Sequence, residues 1–216
     1  MLRRGVLHLR RETPVRPEAL LPLDAILLSH LHHDHLDLPS LAALGRNTTL
    51  VVPRGGGRLL RRRGFAAVDE VEPGSLFDIG PVRVSVTPAE HDARRFKVGR
   101  DVPAVGYVLE AATRVYFAGD TDFFPAMRDL TGLDVALVPI SGWGRGLGGG
   151  HLDPERAADA VALMRPRVAV PIHWGTYRML GHEGRKGDLD AFVRAAAERA
   201  PDVEVRVLAQ GETVEV

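Results

Sequence analysis

Four histidines and one aspartate lie within six consecutive positions, in the segment 30–35 with the sequence His-Leu-His-His-Asp-His. His30 and His32 are two residues apart, and alternate residues of an extended segment point the same way, so both can bind one metal ion. Asp34 and His35 follow where the chain turns and can face a second ion. Imidazole and carboxylate groups are ligands for zinc, and also for iron, manganese or nickel. The alternative, a surface histidine tract, is disfavoured by the apolar strand that directly precedes the segment.

Two metal ions need more ligands than this segment supplies, and three candidates stand further along the chain. Each follows a short apolar run of strand length, and loops at strand ends commonly display functional groups on a rigid scaffold. These candidates are His91, Asp120 and His173. Each alone would more often have a structural role, since an aspartate after a strand is often a helix cap. Together with the histidine segment, their order indicates a two-metal centre.

The elements that must position these residues are predicted from short apolar runs and amphipathic segments. Runs rich in β-branched residues predict strands at 25–28, 49–52, 82–86, 105–109, 115–117, 135–138 and 168–172. A short polar turn joins 105–109 to 115–117 and predicts a hairpin. Helices are predicted at 38–44, 57–63, 154–164 and 188–200, the third with Asp153 as its N-cap. This mixture predicts an α/β or α+β chain.

The composition narrows the class of protein. The chain has 216 residues, 28 of them basic and 28 acidic, which predicts one domain over 1–216 and gives no reason to expect nucleic acid as a partner. The absence of cysteine restricts the metal ligands to nitrogen and oxygen. We find neither a signal peptide nor a run near the roughly 20 apolar residues of a transmembrane span, so a cytoplasmic protein is predicted.

The order of these motifs resembles the metallo-β-lactamase superfamily. The matching features are His-x-His-x-Asp-His, a later histidine, the triplet Gly-Asp-Thr at 119–121 and a final histidine. Segments 23–30, 37–41 and 172–176 are similar to the branch that includes N-acyl-phosphatidylethanolamine phospholipase D and the lactonases related to ascorbate utilisation. The resemblance covers roughly residues 22–180. It implies a four-layered αββα sandwich, with the metals at the edge where the two sheets meet.

The resemblance also assigns each candidate ligand to a metal. It implies that the first metal is bound by His30, His32 and His91. It implies that the second is bound by Asp34, His35 and His173, with Asp120 bridging the two. Two divalent ions per chain are therefore expected, with zinc as the metal and manganese, iron or nickel as alternatives.

Several further residues match positions near the substrate pocket of that branch. His151 matches a pocket histidine, so a contact with the substrate or transition state is expected; an ordinary loop histidine is the alternative. Arg94 and Arg95 resemble an Arg-Arg pair and are either ligands for an anionic group or surface arginines. His182 is a further candidate pocket residue. His33 is expected to point away from His32 and is not a candidate ligand.

The expected function is a metal-dependent hydrolase in which a hydroxide bridging two metals attacks a substrate. A phosphodiester, or an ester or lactone, of a small or lipid-like molecule is the expected substrate. The candidate catalytic residues are Asp120, which orients the hydroxide, Asp34 and His151. The candidates for fixing the imidazole tautomers are Glu90, Thr121 and Asp122.

Two alternatives stay open, a redox protein and a non-catalytic metal-binding protein on the same scaffold. Redox di-iron members of the superfamily typically carry glutamate at the second histidine of the motif, so His32 favours hydrolysis. Only 29 residues precede His30, where family members normally have two or three strands. The sheet edge expected to be left unpaired there could be covered in a homo-oligomer.

Overall fold

The computed structural model describes residues 2–4, 7–11, 20–93, 102–140, 150–179 and 187–215. The strands are β1 (Leu2–Arg4), β2 (Leu7–Arg11), β3 (Ala25–Leu27), β4 (Thr49–Pro53), β5 (Val68–Val71), β6 (Leu76–Ile79), β7 (Val82–Ala89), β8 (Ala104–Glu110), β9 (Arg114–Phe117), β10 (Val135–Pro139), β11 (Val168–Ile172), β12 (Tyr177–Met179) and β13 (Glu204–Val205). The helices are α1 (Leu38–Leu44), α2 (Gly57–Arg61), α3 (Pro154–Met164) and α4 (Gly187–Arg199), with a 3-10 helix at Pro125–Asp129. The chain forms two compact units, which are described in turn. Residues 16–122 are called the motif unit, and residues 1–15 with 123–216 are called the second unit.

The motif unit contains two sheets and two helices. Strands β3, β4 and β5 are parallel, and strands β6 to β9 form an antiparallel meander. Leu50 and Val52 of β4 lie in an apolar cluster with residues of α1 and α2. Val51, between them, lies in a second cluster with Val84 and Tyr107 of the meander. Because alternate strand residues face opposite sides, β4 packs against helices on one face and against the antiparallel sheet on the other.

The second unit is built on parallel strands covered by helices. Strands β10, β11 and β13 are parallel, with Val135 opposite Val168 in the register of the first pair. Helix α3 packs against α4. The side chain of Asp153 caps α3 by accepting a hydrogen bond from the Arg156 backbone N–H at 2.8 Å, which satisfies an amide that the helix itself leaves unpaired. Strands β1, β2 and β12 form a separate antiparallel sheet.

The seven predicted strands and four predicted helices are all present, and β8 and β9 form the predicted antiparallel hairpin. β7 extends to Ala89, beyond the predicted 86, and α2 ends at Arg61, before the predicted 63. The other six strands, β1, β2, β5, β6, β12 and β13, are not predicted from the sequence. β1 and β2 precede the histidine segment, where the usual first strands of the family are expected to be missing. β5 is missed because the charged residues Asp69 and Glu70 stand at its centre. Both are exposed, as the central residues of a strand at the edge of its sheet can be. Within the described ranges, no helix has both the length and the apolar character needed to cross a membrane.

Candidate metal centre

The backbone just before the histidine segment is anchored from two sheets of the motif unit. The Leu28 N–H donates to the Val51 carbonyl of β4 at 2.9 Å. The hydroxyl of Tyr107 on β8 donates to the Leu28 carbonyl at 2.7 Å, and the Val105 N–H, also on β8, donates to the Ser29 carbonyl at 2.9 Å. Tyr107 is fully buried, so these bonds are shielded from water. The position of His30 is therefore fixed by the core.

The segment 30–35 then reverses direction in a tight turn. The N–H groups of His35 and Leu36 both donate to the His32 carbonyl, at 3.2 and 2.8 Å. Leu31 and Leu36 are buried and anchor the turn to the apolar cluster beneath α1. Helix α1 begins directly afterwards, with Asp37 as its N-cap. The turn thereby directs leucines inward and leaves room for the polar side chains to meet.

Three other histidines of the motif unit, His32, His35 and His91, converge around His30. The His30 ring centroid is 4.7 Å from those of His32 and His91 and 4.0 Å from that of His35. Nδ1 of His32 and Nε2 of His91 are 3.0 Å apart. The potential ligand atoms of His30, His32 and His91 all lie within 4.8 Å of one another. His33, in contrast, is exposed.

Asp120 joins this cluster from the loop after β9. Its Oδ2 is 3.1 Å from Nε2 of His35 and 3.8 Å from Nε2 of His30. The carboxylate is almost completely buried. Gly119 permits the approach, since it has φ +65° and a Cβ there would be 2.7 Å from the Cβ of Ser29. A left-handed conformation and this crowding both require glycine.

The site keeps two of its histidines neutral. Burial and the neighbouring His35 lower the pKa of His30 to about 2, and burial also lowers the pKa of His32. Ser29 Oγ lies 3.1 Å from Nδ1 of His30. A neutral imidazole that donates from Nδ1 to this hydroxyl leaves the lone pair of Nε2 available to a metal.

The backbones of Glu90 and Asp122 and the hydroxyl of Thr121, three residues expected to fix imidazole tautomers, connect two backbone segments. Thr121 is fully buried, and its hydroxyl accepts a hydrogen bond from the Glu90 N–H at 2.9 Å and donates to the Asp122 carbonyl at 2.9 Å. The Asp122 N–H donates to the Glu90 carbonyl at 2.9 Å. These contacts link the loop that carries His91 to the loop that carries Asp120. The hydrogen bonds of the Thr121 hydroxyl thus go to the main chain.

Two predicted site residues, His173 and His151, belong to the second unit. His173 directly follows β11 and adopts φ 61°, a conformation that is uncommon outside glycine and worth attention at a functional position. The loop after it is held by hydrogen bonds from Trp174 Nε1 to the Pro171 carbonyl at 2.9 Å and from Gln210 to the Gly175 carbonyl at 2.7 Å. His151 is half-buried and precedes the N-cap of α3.

Three further candidates, Arg94, Arg95 and His182, lie outside the described residues. Conversely, sequence reasoning missed Tyr107 and Ser29 as supports of the site. Ser29 could have been found, because it directly precedes His30. Tyr107 could not, since a tyrosine within an apolar strand is indistinguishable from an ordinary core residue.

Comparison with known proteins decides the family. The model of the beta-lactamase superfamily domain matches residues 2–174. This chain belongs to the metallo-β-lactamase superfamily. Among its relatives is a UPF0173 metal-dependent hydrolase of Aeropyrum pernix, which is 33% identical over 94% of this chain and 85% of that protein.

Two solved structures have a similar fold. Igni18, a metallo hydrolase from Ignicoccus hospitalis, is 28% identical and superposes with a TM-score of 0.69 over 88% of this chain and 78% of that one. An isothiocyanate hydrolase from Delia radicum gut bacteria is 20% identical, with a TM-score of 0.73 over 94% of this chain and 80% of that one. The second likeness concerns the fold alone.

The residues present in this member of the superfamily fit bound metal. Within the described part of the chain, Nε2 of His30 is buried without a hydrogen-bond partner, an arrangement that costs free energy unless something else binds the nitrogen. Two imidazole nitrogens on one tetrahedral zinc are about 3.3 Å apart, given bonds of about 2.0–2.1 Å. The 3.0 Å separation between His32 and His91 is close to that value. The donor set is therefore suited to a divalent metal.

Proposed function

We propose that this protein is a metal-dependent hydrolase with two divalent ions, zinc being the expected metal. The observation that carries the proposal is the convergence of His32, His35, His91 and Asp120 on the buried His30. Membership of the superfamily supports it, and so does the name of the relative from Aeropyrum pernix, a metal-dependent hydrolase.

The proposed ligands follow the two groups of side chains. The first ion is assigned to His30, His32 and His91, whose ligand atoms lie within 4.8 Å of one another. The second is assigned to Asp34, His35 and Asp120, where Oδ2 of Asp34 and Oδ2 of Asp120 lie 3.8 and 3.1 Å from Nε2 of His35. Asp120 is shared with the first ion. His173 is added to the second group on the sequence resemblance.

Two divalent ions supply, when bound, a nucleophilic hydroxide near neutral pH and polarise the bond to be cleaved. The protein's own residues orient the reacting groups and accept or donate protons. Asp120 is buried beside His35, so its carboxylate is rigidly placed to orient the attacking group and accept its proton. Ser29 fixes the ring of His30. His151 is proposed to contact the substrate, again from the sequence resemblance.

The proposed substrate is a phosphodiester, or an ester or lactone, of a small or lipid-like molecule. Both classes present an electrophilic centre with a polarisable oxygen, which a two-metal site can activate without a serine or cysteine nucleophile. The chain has no cysteine. Arg94 and Arg95 are the proposed contacts for a phosphoryl or carboxylate group.

Elemental analysis of protein purified without chelator tests this proposal. We expect about two ions per chain in the wild type and a clear loss in Asp120→Asn, which keeps the shape of the side chain but removes its charge. Asp78→Asn is the matched control, because Asp78 is exposed on β6 and pairs with Arg83. Wild-type protein without metal, even after reconstitution, would refute the proposal.

Activity then separates the substrate classes. Bis(4-nitrophenyl) phosphate and a simple lactone are offered to the metal-loaded wild type and to Asp120→Asn. Hydrolysis of one probe by the wild type, lost in Asp120→Asn and kept in Asp78→Asn, supports that class. Bound iron that cycles between oxidation states without hydrolysis of either probe would favour the redox alternative.

A further inference from the structure

Thr121 links two loops that each carry a ligand of the candidate metal centre. It directly follows Asp120, which contacts His35 at 3.1 Å. Its hydroxyl accepts a hydrogen bond from the N–H of Glu90, and Glu90 directly precedes His91. His91 in turn belongs to the other group of ligands, at 3.0 Å from His32. One buried hydroxyl thus connects residues adjacent to a ligand from each group.

Two further hydrogen bonds support the one between Thr121 and Glu90. Together the three bonds hold the two loops at a defined spacing. The Asp122 N–H donates to the Glu90 carbonyl at 2.9 Å, while the hydroxyl of Thr121 donates to the Asp122 carbonyl at 2.9 Å. Glu90 is therefore held through its N–H and through its carbonyl. The hydroxyl is fully buried, where a backbone amide that lost its acceptor would have to move to find another.

We infer that Thr121 is a positioning residue that sets the distance between His91 and Asp120, and thereby the geometry with which both metal groups form. The inference rests on the proposed function, since it concerns where the metal ligands stand. As a positioning residue, Thr121 binds neither a metal nor a substrate and acts only through the two backbone segments. Its γ-methyl fills space, whereas its hydroxyl carries the positioning effect.

Isosteric substitution separates these two contributions. Thr121→Val keeps the volume and removes the hydroxyl, and Thr121→Ser keeps the hydroxyl and removes the methyl group. Thr48→Val is the matched control. Thr48 lies on the loop after α1, and its hydroxyl also donates to a backbone carbonyl, that of Leu44 at 3.3 Å. If Thr121→Val fails to fold, Thr121→Ala compared with Thr121→Ser isolates the hydroxyl, since both lack the methyl group.

The readouts are metal affinity, from competition with a chromogenic chelator, and the visible spectrum of the cobalt-substituted protein. We expect Thr121→Val to weaken metal binding roughly 10-fold or more, as the loss of an outer-sphere support does, and to change the cobalt spectrum. Thr121→Ser and Thr48→Val should match the wild type in both.

Three results would overturn the inference. The first is a wild-type affinity and spectrum in Thr121→Val, even with reduced thermal stability, which would make Thr121 a structural residue only. The second is an equal loss in Thr121→Ser. Absence of metal from the wild type would overturn the proposed function together with the inference, whereas equal metal binding by the wild type and Thr121→Val overturns the inference alone.

Discussion

Nδ1 of His32 and Nε2 of His91 face each other at 3.0 Å, although 59 positions separate the two residues in the sequence. At this distance two neutral imidazoles must either share one proton or bind a common metal ion. Burial lowers the pKa of His32, which disfavours a charged pair. The contact is therefore the arrangement expected of two ligands brought together by folding.

Removal of His91 should release metal. His91→Ala deletes one ligand of the first group, and we expect metal affinity to fall roughly 100-fold or more, because loss of an outer-sphere partner alone costs about 10–100-fold. His33→Ala is the control, since it removes an exposed histidine of the same segment. Calorimetric titration with zinc measures both variants, and an equal loss in the two would contradict the assignment.

Adding a side chain at Gly119 should lower both the stability of the protein and its affinity for metal. A Cβ there would lie 2.7 Å from Cβ of Ser29, so Gly119→Ala should reduce the free energy of unfolding by about 1–3 kcal/mol and weaken metal binding. Gly80→Ala is matched to it, because Gly80 also has positive φ, +55°, but nothing within 4 Å of its Cβ. Urea unfolding distinguishes them: equal losses would mean that backbone strain, not contact with Ser29, dominates.

The hydroxyl of Tyr107 should contribute to both stability and metal binding. Tyr107→Phe removes the 2.7 Å bond to the Leu28 carbonyl and leaves a buried acceptor without this donor, at a cost of about 1–3 kcal/mol. Tyr116→Phe is the control, because Tyr116 is also fully buried and its hydroxyl faces Thr87. This variant should change the free energy of unfolding without changing the metal affinity. Thermal unfolding and zinc titration are measured on each. An unchanged zinc affinity in Tyr107→Phe would show that its contact does not influence the site.

The metal-free protein should lose stability in mild acid. Burial lowers the pKa of His30 from its ordinary value of 6.5 to about 2 in the folded protein, so below pH 6.5 the unfolded chain binds a proton that the folded chain does not. The free energy of unfolding should then fall by about 1.4 kcal/mol per pH unit for this group, and His32, with its lowered pKa, adds in the same direction. Urea unfolding with chelator between about pH 7 and pH 5 measures the slope. A flat profile would contradict the neutral, buried state of His30.

The sequence by itself determined the ligand types, their order and the strands that precede them. Its histidine segment is local, so periodicity and spacing were enough to predict that His30 and His32 act together. The N-cap at Asp153 was also predictable, since helix capping depends on neighbouring residues only.

Only the tertiary structure decided how distant parts of the motif unit meet. The contacts of Tyr107 with Leu28 and of Thr121 with Glu90 join residues 79 and 31 positions apart, and no local pattern distinguishes such a tyrosine or threonine from an ordinary core residue. The low pKa of His30 likewise arises first from burial, which is a tertiary effect, and in part from the ring of His91, which another segment supplies. Residue types and local spacing thus supply the chemistry, whereas long-range packing fixes the distances and the dielectric surroundings in which that chemistry can operate.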